Sequence, residues 1–423
     1  MTDAAFFNAD ADMDPADIDR INREFYGRFN YPWLPLVLPV VQDPTFIPRF
    51  VCQEIGDFSG SRIPADGEIW VAGCGTNQAV LTALRFPGAK VLGTDVSTRS
   101  LEVARRTANQ LGLTNLDLKE ASLNDPSDKD RFDHVICTGV IHHNANPEIP
   151  LASLAQALKP SGVLELMVYN YYHRTQTTAY QKAIRILSGA TGRGGLIDAE
   201  LAMTAELIAH GGLPGSMAPF LAQQRDLPEP AVADSLLQPV EFSYTVETLA
   251  AMCGRAGLTL LQPCVGQFDK LAQRFSWDPP LPEGAARSAF ERLGDLKRWQ
   301  VANLLMTDAS PMLWFYVQRG GDRPDRAQIN ADFLNRTFRH ASCVTGSFIL
   351  GADGRYRNSG RSAQLPAPAQ PVDPQARAIY AACDGKTRMG DIFAQLALPR
   401  DEAALTRLRV LLTTPAFPYL VAQ

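Results

Sequence analysis

The chain has 423 residues, a formal net charge of −5 and seven cysteines. That length exceeds an ordinary single domain, so one main core plus a further module is expected, and the acidic balance offers no chain-wide basic face for nucleic acid. Cys52, Cys74, Cys137, Cys253, Cys264, Cys343 and Cys383 form no C-x-x-C pair and no metal-ligand spacing, and no signal-peptide pattern or membrane-length apolar run stands out, so reduced core thiols and a cytoplasmic location are expected.

Residues 1–13 are small and acidic and are expected to lack fixed structure. Residues 14–29 read as a helix, stopped by the aromatic and proline run Tyr31-Pro32-Trp33-Leu34-Pro35. The most informative stretch follows: Ile69-Trp70-Val71-Ala72-Gly73-Cys74-Gly75-Thr76-Asn77. An apolar strand stops at Gly-x-Gly, and a helix begins at Gln78. Two glycines at a strand-to-helix turn let the backbone bend sharply and approach a ligand. Lys90-Val91-Leu92-Gly93-Thr94-Asp95 is a second strand, ending in a carboxylate about 20 residues after the turn, the spacing at which an acid meets a ribose in nucleotide-binding βαβ units. Ser97 and Thr98 suit the cap of a helix over 99–111, and Gly112 its stop.

A dinucleotide fingerprint asks for a third small residue where this chain has Gln78, and a pyrophosphate gains from a helix N-terminus where a sulfonium does not. Leu116-Asp117-Leu118-Lys119-Glu120-Ala121-Ser122 reads as the third strand. Arg131-Phe132-Asp133-His134-Val135-Ile136-Cys137-Thr138-Gly139-Val140-Ile141-His142-His143 reads as the fourth, with a terminal His-His pair. Leu158-Lys159-Pro160-Ser161-Gly162-Val163-Leu164-Glu165-Leu166 reads as a helix end, a Pro-x-Gly turn and the fifth strand. In order and spacing these motifs resemble the class I S-adenosylmethionine-dependent methyltransferases. Two departures stand out: Val71 occupies a position where that family usually has an acid, and Asn77 replaces its third glycine.

The resemblance implies an α/β fold, a doubly wound seven-stranded and mostly parallel Rossmann-like sheet, with helical insertions and a small C-terminal domain. Residues 1–60 are expected to form a helical or lid segment, 61–320 the main domain with a helical insertion at about 171–243, and 321–423 a C-terminal module. The proline-rich stretch 365–371 reads as a hinge, and from about 374 the pattern is winged-helix-like. Residues 258–261 and 312–317 read as the sixth and seventh strands, with a second helical insertion over 283–306. The insertions form either a substrate cap or a dimer surface.

The resemblance further implies S-adenosyl-L-methionine as cofactor and no metal. Ala72, Gly73, Cys74, Gly75, Asn77, Gln78, Asp95, Val96, Ala121, Ser122, Thr138 and Gly139 are expected to hold the cofactor. The absent acid at Val71 leaves the cofactor's ammonium to backbone carbonyls of Ala72 and Gly73 or to the N-terminal segment. His142, His143 and Tyr169 are the catalytic candidates, although either imidazole is equally suited to a structural place under the sheet edge. Tyr26, Arg28, Tyr31 and Trp33 are expected as lid residues, or as pins for the N-terminal helix, and Tyr172 as a shaper of the acceptor site. The function implied is methyl transfer to a small-molecule or peptide acceptor, with a homodimer left open and no nucleic acid or membrane partner. The alternatives are a non-catalytic scaffold of the same fold and, less favoured by Gln78, a nicotinamide oxidoreductase.

Overall fold

The computed structural model describes residues 6–7, 14–29, 33–125, 128–189, 197–264, 266–321, 323–365 and 370–423. Its centre is a seven-stranded sheet whose strands lie in the order Leu116–Glu120, Lys90–Asp95, Glu68–Ala72, Phe132–Thr138, Leu158–Val168, Leu313–Arg319, Leu258–Pro263. The first five are parallel. Leu313–Arg319 inserts antiparallel between the fifth and the last. This is the seven-stranded, mostly parallel arrangement that the motifs imply, with the strand latest in sequence lying inside the edge.

Burial on both faces explains why the central strands read as continuous apolar runs. Phe132, Val135, Ile136 and Cys137 are buried, as are Ile69, Val71 and Ala72. Local chemistry sets the helix ends. Ser97 accepts from the Ser100 N–H at 3.2 Å to cap helix Thr98–Leu111, and Gly112 ends it with φ 68°. The Pro-x-Gly turn is absorbed into the fifth strand: Phe132 pairs with Leu158 and His134 with Val163, so residues 159–162 bulge out against Asp133 alone. Helix Val246–Arg255 starts where it does because Thr245 and Thr248 form a capping box.

Gly93 shows how closely the first helix approaches the sheet. A Cβ there would meet the Ala79 Cβ at 2.6 Å and Leu118 Cδ2 at 2.8 Å. The small residue that the fingerprint places in the loop, where Gln78 stands, has a counterpart in Gly93 on the neighbouring strand.

The two ends of the chain are interleaved. Val37–Val41 pairs antiparallel with Cys343–Leu350, which also carries Tyr356–Asn358 and Ala363–Leu365. This second sheet packs Leu38 and Tyr356 onto Val80, Leu84, Ala104 and Ala108 of the helices that flank the glycine turn. Helix Phe46–Glu54 docks on the far end: the Gln53 amide donates to the carbonyls of Thr413 (2.7 Å) and Leu420 (2.9 Å) and accepts from the Ala422 N–H at 3.0 Å. Residues 321–423 therefore divide between this second sheet and a small bundle. The bundle comprises helices Arg326–Asn335, Pro374–Ala382, Met389–Gln395 and Glu402–Thr413, with the strand pair Phe338–His340 and Leu420–Ala422. Its core joins Phe333, Phe338, Ile379, Phe393 and Leu408 to Phe58 of the N-terminal segment. Most of the 365–371 hinge lies outside the described residues.

The insertion over 171–243 contains helices Tyr171–Ser188, Ile197–His210, Met217–Ala222 and Glu229–Leu236. Among the described residues no helix is long and apolar enough to cross a membrane. Gly93→Val should destabilise the protein by about 1–3 kcal/mol through overpacking against Ala79 and Leu118, read as a lower midpoint in urea at unchanged slope.

Candidate active site

Strand ends and one helix from each neighbouring segment enclose a cavity of about 370 Å³ at the carboxyl edge of the parallel sheet. That volume lies within the range of small-ligand sites, and the edge is where doubly wound sheets bind ligands. Gly73, with φ 69°, and Gly75, with φ 54°, turn the chain left-handed at the end of Glu68–Ala72. A Cβ on Gly73 would meet Val140 at 2.6 Å, so the turn is packed from behind by the fourth strand's loop.

Asp95 faces the turn from the adjacent strand. Its Oδ2 accepts from the Gly75 N–H at 2.8 Å and its Oδ1 from the Ser97 N–H at 2.8 Å. Burial pushes its carboxyl above the usual range, and those N–H donors pull it part of the way back. Each oxygen keeps a lone pair for a further donor, the requirement for gripping two vicinal hydroxyls. Gln78 donates to the Thr138 hydroxyl at 2.5 Å, tying the start of the first helix to the end of the fourth strand. Asn77 donates its side-chain N–H to the Trp33 carbonyl at 2.9 Å, anchoring the segment that precedes the sheet.

Helix Pro15–Arg28 closes the cavity from above. Asp19, Asn22 and Tyr26 fall at spacings of three and four, on one helical face, and all three line the cavity. Asn22 donates to the His143 carbonyl at 2.8 Å, and Asp19 accepts from the Ser122 hydroxyl at 2.5 Å and from Asn124 at 3.1 Å. Arg23 donates to the Val96 carbonyl at 3.0 Å. Ile18 and Ile21 enter the main core, so the helix is fastened on both sides.

Helix Glu229–Leu236 brings Asp234 to the same wall. The Gln238 amide donates both to Asp234 Oδ1 at 3.0 Å and to the Tyr26 hydroxyl at 2.7 Å. Burial pushes the Asp234 carboxyl up to about 6. The Tyr26 phenol, also raised by burial, stays protonated and keeps its hydrogen for a ligand. Tyr169 completes this side, with the Arg174 guanidinium 4.5 Å from its ring centre. Arg174 is itself held bidentate by buried Glu241, both contacts at 2.6 Å.

The expected cofactor positions Gly73, Cys74, Gly75, Asn77, Gln78, Asp95, Val96, Ala121, Thr138 and Gly139 all line this cavity. Ala72 lies in the core beneath the turn, and Ser122 is turned toward Asp19. The two histidines separate. His143 reaches the wall and its Nδ1 lies 2.8 Å from the Val240 carbonyl, an acceptor, which places the proton on Nδ1 and leaves Nε2 a lone pair. Burial lowers its pKa. His142 sits behind the wall, fully buried, its ring 4.0 Å from Tyr169, with neither ring nitrogen hydrogen-bonded. Burial holds it well below its ordinary range, and the structure places it in the packing behind the wall.

Among the expected lid residues that are described, only Tyr26 meets the cavity. Arg28 turns outward to exposed Asp198 at 2.5 Å, and Trp33 is 58% exposed and contributes its carbonyl to Asn77. Tyr172 does not line the cavity; its backbone N–H donates to the Asn170 side chain that caps its helix. Tyr31 lies outside the described residues. The residues not foreseen are Asp19, Asn22, Leu81, Ser100, Leu123, Val140, Asn144, Met167 and Asp234. The stripe Asp19, Asn22, Tyr26 was a readable signal; Asp234, deep in an insertion, carried none.

Three acids, Asp19, Asp95 and Asp234, line the cavity, and no lysine or arginine among the described residues does. A wall of this sign opposes a pyrophosphate and suits a ligand bearing a ribose diol and cationic groups. S-adenosylmethionine, with a sulfonium and an ammonium, fits that donor set. Among the described residues no group of His, Cys, Asp or Glu is placed to hold a metal ion.

Residues 70–164 match the family model of a methyltransferase domain. An uncharacterized protein of Synechococcus is 29% identical over 288 residues, spanning 65% of this chain and 66% of its own length. The release factor glutamine methyltransferase of Neisseria gonorrhoeae is 38% identical over 91 residues, 21% of this chain and 30% of that protein. A ubiquinone biosynthesis O-methyltransferase of Actinobacillus pleuropneumoniae is 32% identical over 104 residues, 23% of this chain and 44% of that protein. The chain thus spans less than two thirds of the length of each. Among solved structures, PKMT2 from Rickettsia typhi superposes with a TM-score of 0.56 at 15% identity, covering 92% of this chain and 76% of that one, and its complex with AdoHcy does so with the same TM-score at 14% identity, covering 89% and 76%. That likeness is one of fold. Residues 70–164 are thus a methyltransferase domain, and the strand order, the glycine turn and the acid-lined cavity give it the class I S-adenosylmethionine-dependent fold.

Proposed function

We propose that this protein transfers a methyl group from S-adenosylmethionine to a small-molecule or peptide acceptor that enters beneath the Glu229–Leu236 helix. The observation that carries the reading is the acid-lined cavity, in which Asp95 is pinned at the glycine turn and Asp234 stands on the cap side with Tyr26, His143 and Tyr169. When bound, the cofactor supplies an electrophilic methyl on a sulfonium. The chain's own residues then have three tasks: to hold the ribose, to exclude water and to orient the acceptor. Asp95 takes the ribose hydroxyls. The N-terminal helix, fastened by Asn22 and Arg23, covers the cavity. The Tyr26 and Tyr169 hydroxyl groups and the Arg174-backed ring shape the acceptor end.

An acceptor that loses a proton on methylation needs a base there. Asp234 suits that task by its place on the wall and by a carboxyl titrating at about 6. His143 Nε2 is a second acceptor at the same wall, and it supports the alternative that the proton leaves by the imidazole. Support for a catalytic chain over a scaffold comes from Asp95 and the turn, both positioned for a diol despite Val71.

Calorimetric titration with S-adenosylmethionine and S-adenosylhomocysteine tests the reading, with NAD as the control. Asp95→Ala removes two charge-assisted hydrogen bonds and should weaken binding of both sulfur nucleotides by on the order of 100-fold. Absence of binding by the unaltered chain would leave only a scaffold role. Once an acceptor is in hand, kcat/KM should fall about tenfold per pH unit below about 6, as Asp234 becomes protonated, and level off above it. Asp234→Asn should abolish that limb and lower the plateau. A limb retained in the variant would pass the role to His143.

A further inference from the structure

A second cavity, of about 350 Å³, lies between helix Asp295–Met306 and helix Glu402–Thr413 of the C-terminal bundle. It shares no lining residue with the cofactor cavity, and its sign is reversed: five arginines face three acids. Three of those arginines are already matched. Arg287 pairs with Asp278 at 2.5 Å, Arg407 with Asp373 at 2.7 Å, and Arg326 with Asp295, which Arg323 also contacts.

The other two have no carboxylate within salt-bridge reach among the described residues. Arg298 donates only to the carbonyls of Phe290 and Glu291, at 3.1 and 2.6 Å. Arg409 is 4% exposed, and its guanidinium makes one hydrogen bond, Nε to the Asn330 side-chain oxygen at 2.8 Å. Its terminal N–H groups are thus left to the cavity that Arg409 lines. A buried guanidinium without a counter-charge is costly, and protein interiors keep such groups only where something pairs with them. Burial lowers its pKa to about 10, so it stays cationic at neutral pH. Trp277, Trp299 and Phe290 also line it, apolar surfaces that match the body of a small organic ligand.

We propose that this cavity binds an oxyanion, the phosphate or carboxylate of a small organic ligand, through the guanidinium groups of Arg298 and Arg409 that line it. The inference is independent of the methyl-transfer reading, since it uses none of the same residues. Occupancy has a path to the sheet: Trp277 and Trp299 both pack on Phe315, at 5.4 and 5.2 Å between ring centres, and Phe315 pairs with Leu166 next to Met167 of the cofactor wall.

The test is calorimetry and thermal unfolding of the full chain with inorganic phosphate and with citrate, at ionic strength held constant with sodium chloride. Saturable one-to-one binding of at least one anion, with a raised Tm, is expected; which anion responds distinguishes phosphate from carboxylate ligands. Arg409→Met should lose at least tenfold in affinity and show no anion-induced rise in Tm. Its Tm without anion should equal or exceed that of the unaltered protein, because an unpaired buried charge is gone. Arg298→Gln, at a less buried position, provides the same affinity test should the methionine variant fail to fold. No saturable binding of either anion, or affinities in the folded variants equal to that of the unaltered chain, would overturn the proposal.

Discussion

The contact on which the site depends is the Gly75 N–H to Asp95 carboxylate bond. It closes the left-handed turn at one strand end against the neighbouring strand end, and it aims the carboxylate along the sheet edge. Ser97 holds the other oxygen while its side chain caps the next helix. One acid thereby sets a turn, a helix start and the cavity floor together. The cost is a buried charge, met by backbone donors that do not titrate.

Electrostatics divide the molecule into two regions of opposite sign. The cavity at the sheet edge gathers three carboxylates and excludes fixed cations among the described residues, while the cavity under the C-terminal bundle gathers arginines. The overall charge of −5 conceals this separation. A second division falls between adjacent histidines. His143 is held by the Val240 carbonyl and meets the wall, and His142 fills the space behind Tyr169. Identical side chains one residue apart thus have unrelated tasks, because the 3-10 turn over Ile141–His143 points them in different directions.

What was legible in the sequence was local and periodic. The strand runs, the glycine turn, Asp95 and the capping residues carry their structural consequence in their own neighbours, and the fold followed from them. Asp234 was not legible. Its place depends on how the insertion folds back over helix Pro15–Arg28, where Ala233 packs on Phe25 and Phe29, and no local pattern encodes that docking. The lid expectation failed for Arg28 and Trp33 for a related reason: aromatic and basic residues near a site were read as facing it, while helical phase turns Arg28 outward to Asp198. In the C-terminal region the pairing of residues 343–350 with 37–41 joins segments some three hundred residues apart and left no trace in either.

The grip of Gln53 on Thr413, Leu420 and Ala422 has a consequence for how the chain is made. Helix Phe46–Glu54 emerges early in synthesis, yet the groups that satisfy its buried amide are up to 369 residues away. At the usual pace of translation that interval is on the order of 20–70 s. Through it the parallel strands and the glycine turn are already outside the ribosome, while the Gln53 amide and one edge of the Val37–Val41 strand still lack the groups they bond in the folded protein. The protein is thus a late closer, in which a buried amide and a strand edge near the start of the chain are satisfied only by segments made hundreds of residues later.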